Sequence, residues 1–174
     1  DGDGKLDLFH STADALGSAA RQLQQKGWIK GLPWGIEVKL NTKVDCANEG
    51  PANSHPIGEW VKLGITRADG KPFAKDLLKH EAYLMSPAGA FGPSFLATDN
   101  FKAIRAYNMS DLYALFVGHL ADRILGTTGF VNAWPSDTGL TKAQRVELQA
   151  RLGKRGYDLG TPDGTRQLLV PSIK

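Results

Sequence analysis

The chain has 174 residues, 41% of them apolar and 22% charged, which is ordinary globular composition with enough apolar material for a packed core and excludes wholesale disorder. Lys and Arg number 21 against 18 Asp and Glu, a net charge of +3 without any dense basic run, so nucleic-acid binding is not expected. A single Cys excludes an intrachain disulfide, and Cys46 reads as an inert thiol because nothing ties any of the four His to it. No apolar run approaches the roughly 18 residues of a membrane-spanning helix.

The chain opens on Asp1-Gly-Asp-Gly-Lys-Leu-Asp7, which reads as the middle of a motif and suggests that the natural N-terminus lies elsewhere. Calcium loops of the EF-hand type carry oxygen ligands at alternate positions and a Gly at the sixth. With Gly4 as that Gly, Asp1, Asp3 and Asp7 are side-chain ligands and Lys5 offers its backbone carbonyl. The first ligand would precede the chain. His10 stands where a closing Glu is usual and cannot act as a bidentate carboxylate; Asp14 is the substitute. The other reading of the same residues is an acidic turn without metal.

A helix is expected over Ser11 to Lys26, capped by Ser11, with Asp14 in the first turn and Gly27 as its stop. Leu16, Ala20 and Leu23 give it one apolar face. Gly35 to Leu40 alternates like a strand, within a loop-rich stretch. A short helix is expected over Ile57 to Leu63, after Pro56. Residues 65 to 98 read as a small sheet, with Ala68 to Lys71 as a turn and strands at Glu81 to Met85 and Ser94 to Thr98. Asn100 is placed to cap a helix from Phe101 to Tyr107. Ser110 is placed to cap one from Asp111 to Leu125, whose stripe of Tyr113, Val117, Leu120 and Ile124, widened by Leu112, Leu115 and Phe116, predicts deep burial. Residues 126 to 139 read as a linker. Thr141 opens a last helix, with Gln144 completing a capping box.

Tyr107, Asn108 and Tyr113 bring aromatic faces and an amide to one helix junction, the combination that saccharide sites use. They equally suit a core tyrosine and a helix-terminating Asn.

Three stretches resemble the B-type lytic murein transglycosylases (glycoside hydrolase family 103): DGDGKLDLFHSTADALGSAARQLQQKGW at the start, GEWVKLGITRADGKP in the middle, and above all PAGAFGPSFLATDNFKAIRAYNMSDLYALFVGHLADRI, which ends at Ile124. The resemblance implies an α+β, mostly helical chain, part of a lysozyme-like domain with a small β-sheet. It implies a calcium loop at Asp1, Asp3, Lys5, Asp7 and Asp14. It also implies a saccharide groove lined by Tyr107, Asn108 and Tyr113. Gln22 departs from it, since an aromatic residue is usual at that helix position. The implied reaction is non-hydrolytic cleavage of the MurNAc-β-1,4-GlcNAc bond of peptidoglycan with a 1,6-anhydromuramyl product, one Glu serving as acid and then as base. That Glu lies upstream of the calcium loop in the family. Glu37, Glu49, Glu59, Glu81 and Glu147 match no such motif, so this chain alone is expected to be inactive. A periplasmic or outer-membrane-associated location in a Gram-negative bacterium is likewise implied.

LTKAQRVELQARLGKRGYDLGTPDG is similar to the start of a small helical peptidoglycan-binding domain, a pattern carried by Leu148, Gln149, Leu152, Gly156, Tyr157, Gly160, Asp163 and Gly164. The tail TRQLLVPSIK departs from it, which implies a truncated helical appendage. The expected organisation is a C-terminal part of a transglycosylase domain (1–125), a linker (126–139) and a partial binding module (140–174). The alternative reading is a non-catalytic module that binds cell wall or calcium.

Overall fold

The computed structural model describes residues 4–5, 7–41, 44–135, 140–157 and 159–164. The chain divides into two compact units, the first ending at Pro135.

The first unit is built on an antiparallel sheet. Its strands are β1 (Gly35–Lys39), β2 (His55–Pro56), β3 (Thr66–Arg67), β4 (Glu81–Met85) and β5 (Ser94–Thr98), in the order β2-β4-β5-β1-β3. β4 and β5 sit where the sequence places them, with Tyr83 opposite Ala97 and Leu84 opposite Leu96. The sheet is wider than residues 65 to 98, because β1 pairs along β5, Ile36 facing Leu96 across the ladder. An extended apolar segment with a free edge completes its backbone hydrogen bonds this way.

Side chains alternate between two cores, as a period of two requires. Tyr83, Met85 and Phe95 join Trp34, Phe101, Ile104, Ala114 and Leu115 on one face. Ile36, Val38, Leu84 and Leu96 join Ile57, Trp60 and Ile65 on the other. The second face is closed by helix α2 (Ile57–Lys62), whose Trp60 donates its indole N–H to the Ala82 carbonyl at 2.8 Å. Burial on both faces explains why β4 and β5 read as continuous apolar runs.

Helices α1 (Thr12–Gln25), α3 (Asp99–Arg105) and α4 (Asp111–Ile124) complete the unit. Ser11 and Ser110 cap α1 and α4 as expected, their side chains accepting from the Asp14 and Tyr113 backbone N–H groups. α3 differs. Thr98 caps it, and Asn100 lies fully buried inside its first turn. The Asn100 carboxamide accepts from the Ile29 N–H at 2.7 Å and donates to the Ile29 and Leu32 carbonyls at 2.8 and 2.6 Å. It thereby ties the loop after α1 to the start of α3.

Two expected faces are corrected. Leu16 is 66% exposed, and α1 meets the core through Leu23 near its C-terminal end. α4 is not deeply buried: it packs through Ala114, Leu115 and Gly118, while Leu112, Phe116, Leu120 and Ile124 are exposed. The cause is Trp34. A Cβ at Gly118 would stand 2.6 Å from its ring, so only a face of small residues approaches that closely.

The segment expected to be a linker is, up to Pro135, part of the first unit. Phe130 packs edge-on against Phe95 with ring centroids 5.0 Å apart. The Glu37 carboxylate accepts from the Val131 N–H at 2.7 Å and from the backbone and side-chain N–H groups of Asn132. Residues 136–139 lie outside the described residues, as does the tail from 165.

The second unit contains α5 (Lys142–Gly153), opened by the expected Thr141–Gln144 capping box. Gln149 Oε1 accepts from the Asp163 and Gly164 N–H groups at 3.0 and 2.8 Å. Arg145 donates to the carbonyls of Gly164 and Leu140. Gly164, at φ +71°, has no room for a Cβ, which would meet Lys142 at 2.8 Å. Gln149, Asp163 and Gly164 therefore close a turn onto the helix, a structural reason for their place in the motif.

Candidate saccharide groove

A cavity of about 300 Å³ opens between α1, α3 and α4. Ala19, Gln22, Leu23 and Lys26 line it from the α1 side, Tyr107 and Tyr113 from the α3–α4 junction. The two tyrosine rings are parallel within 16°, their centroids 5.8 Å apart. Tyr107 is 65% exposed, so an aromatic face is presented to solvent rather than consumed by the core.

Local chemistry fixes this pair. Met109 adopts a left-handed conformation, φ +58°, which reverses the chain between the helices. Asn108 Oδ1 accepts from the Ser110 N–H at 3.0 Å, closing the turn. Arg105 pairs with Asp111 across the same junction. Tyr107 and Tyr113 thus come together as a platform, whereas Asn108 serves the turn beside it and is not among the lining residues. Sequence reasoning named Gln22 as a groove position but passed over Lys26, whose only signal was its place before the helix-ending Gly27.

The proposed metal ligands fall in two groups. Asp1 and Asp3 lie outside the described residues. Asp7 and Asp14 are turned toward backbone donors. Asp7 Oδ1 accepts from the Phe9 and His10 N–H groups at 3.1 and 2.9 Å, and Asp14 Oδ2 accepts from the Asp7 N–H at 3.1 Å. The His10 N–H, helped by that of Phe9 and by the His10 ring, holds the Asp7 carboxyl below its usual range against a partial desolvation that opposes it. Lys5 is described as well, yet the described residues contain no group of three His, Cys, Asp or Glu side chains placed to hold a metal. By their donor set alone they do not fit a calcium ion, which takes six to eight oxygens.

A second cleft, about 280 Å³, lies between β1 and α4. Four of its polar side chains are engaged with one another: Trp34 donates to Asp122 at 2.7 Å, and Arg67 pairs with Asp69. Three of the five glutamates are similarly occupied. Glu37 holds residues 131 and 132, Glu59 pairs with Lys62 at 2.8 Å, and Glu147 pairs with Arg151 at 2.6 Å. No Glu lines the tyrosine cavity.

A helical frame around a small antiparallel sheet, with a stacked tyrosine pair at a helix junction, is the architecture of a lysozyme-like domain. The chain belongs to the transglycosylase SLT domain family, whose model matches residues 1–122. It is similar to SltB3 from Pseudomonas aeruginosa, solved in complex with NAG-anhNAM-pentapeptide and, separately, with NAG-NAM-pentapeptide. The identities are 44% and 45%, each at a TM-score of 0.79, covering 95% of this chain and 44% of that one. The Escherichia coli lytic transglycosylase Slt35, solved in complex with calcium, is 25% identical at a TM-score of 0.55, over 71% of this chain and 38% of that one. The chain thus spans less than half the length of these structures. No curated protein matches it.

Proposed function

We propose that this chain forms one wall of the saccharide groove of a lytic transglycosylase acting on peptidoglycan. The observation that carries the reading is the exposed, parallel Tyr107–Tyr113 pair over a cavity with an apolar floor. Pyranose rings present flat C–H faces that stack on aromatic rings, and neighbouring polar groups then fix orientation. Support comes from the relatives: SltB3 was solved with NAG-NAM-pentapeptide bound.

The reaction proposed for the whole protein is cleavage of the MurNAc-β-1,4-GlcNAc bond with closure of the muramyl 6-hydroxyl onto its own anomeric carbon. A single Glu protonates the leaving oxygen and then takes the proton of that hydroxyl. None of Glu37, Glu49, Glu59, Glu81 and Glu147 lines the tyrosine cavity, and the acid is proposed to be another Glu of the whole protein. These residues bind and orient the sugar. Calcium is proposed only for the loop with all its ligands, Asp1 and Asp3 included. The second unit is proposed as a partial wall-binding module, and the location as periplasmic or outer-membrane-associated.

The test is Tyr107→Ala in the full-length protein. Tyr107 is mostly exposed, so its stability cost is expected to stay below about 1 kcal/mol. Muropeptide affinity is expected to fall severalfold, because the stacking face is gone. Unchanged affinity removes Tyr107 from the groove. Binding of sacculi by the second unit alone, with Tyr107→Ala silent, would instead favour a non-catalytic wall-binding module.

A further inference from the structure

Among the described residues nine line the tyrosine cavity, and of these Lys26 is the one with a formal charge. It occupies the C-cap of α1, where its backbone N–H bonds back to the Gln22 and Leu23 carbonyls. Gly27, at φ +90°, and the Trp28 N–H, which bonds to the Leu23 carbonyl, finish the turn. The backbone that carries Lys26 is therefore fixed, and the Asn100 bonds to Ile29 and Leu32 hold the following loop in place.

This placement has an electrostatic consequence. The C-terminal end of a helix carries a partial negative charge and repels anions. A lysine there reverses the local sign. The neighbouring Arg105–Asp111 pair is self-neutralised and adds little. The cavity therefore combines an apolar floor, an aromatic platform and one cation with no lining carboxylate.

We infer that Lys26 sets a charge preference in this groove, selecting a saccharide that carries a carboxylate on a ring substituent over the same saccharide without the charge. N-Acetylated sugars are otherwise neutral, whereas a lactyl ether on the ring ends in a carboxylate unless it is amidated. The tyrosine pair binds either ring by its C–H face; the ammonium of Lys26 distinguishes them. The inference rests on the groove reading above and adds to it which chemical form of the sugar is taken.

The experiment titrates the 174-residue chain with two disaccharides of identical shape. One is GlcNAc-MurNAc with a free lactyl carboxylate, and the other is its carboxamide. The wild type is expected to prefer the carboxylate by about two- to fivefold at low salt, the range of one solvent-accessible ion pair. The preference should vanish at molar salt. Lys26→Met should bind both forms equally, and Lys26→Arg should retain the preference. Equal binding by the wild type, or a preference that survives in Lys26→Met, overturns the role of Lys26. If the wild type binds neither disaccharide, the groove reading itself fails, and the inference fails with it.

Discussion

Replacing Asn100 by Ala is expected to be the most damaging single polar substitution in the first unit. Asn100 is fully buried and makes three hydrogen bonds to the Ile29–Leu32 loop, between 2.6 and 2.8 Å. Each such bond contributes about 1 kcal/mol net, and a buried carbonyl left without a donor costs about 1–3 kcal/mol more. The Leu32 carbonyl is in that position, since Leu32 is itself buried. The Ile29 groups lie nearer solvent, Ile29 being 38% exposed, and regain water in part. The sum is about 3–4 kcal/mol, a large share of a stability of about 5–15 kcal/mol. For a unit of this size it corresponds to a fall in Tm of roughly 10–15 °C. Denaturant unfolding followed by far-UV circular dichroism measures it. Asn100→Asp should fare no better, since it keeps the acceptor for Ile29 but removes both donors and buries a charge. A loss below about 1 kcal/mol in the alanine variant would refute the idea that these bonds pin the α1 end over α3.

The remaining predictions concern titration, metal and activity. Burial, with a smaller contribution from Asp111, pushes the Tyr83 phenol up to about 12 from an ordinary 10.0. The folded state therefore holds that proton more tightly than the unfolded chain. The associated stability is complete below pH 10 and is lost as pH rises toward 12. Tyr83→Phe should flatten the stability curve in that window, and an unchanged slope in the variant contradicts the assignment. Calcium should bind this chain no tighter than about millimolar, because His10 stands where the loop's closing bidentate carboxylate would be; micromolar affinity by calorimetry would show a competent site. Purified sacculi incubated with this chain should release no anhydromuropeptides, and turnover would redirect attention to its own glutamates.

The sequence by itself determined most of the local structure and the family. Strands β4 and β5, the serine caps of α1 and α4 and the Thr141 capping box are local signals, set by residues within a few positions of one another. Tyr107 and Tyr113 were likewise legible, because they stand six positions apart on one helix junction. Packing decided the rest. Apolar residues surround much of α4, so periodicity could not choose its buried face; Trp34, distant in the chain, chose the side with Gly118. Asn100 resembles an ordinary cap until the loop near Ile29 folds beside it. Residues 126–135 look like a spacer until Glu37 supplies a carboxylate for their backbone. The charge of the groove was hidden for the same reason: Lys26 is one solvated lysine among many in the sequence, and only the approach of α1 to α3 and α4 brings it to a tyrosine platform.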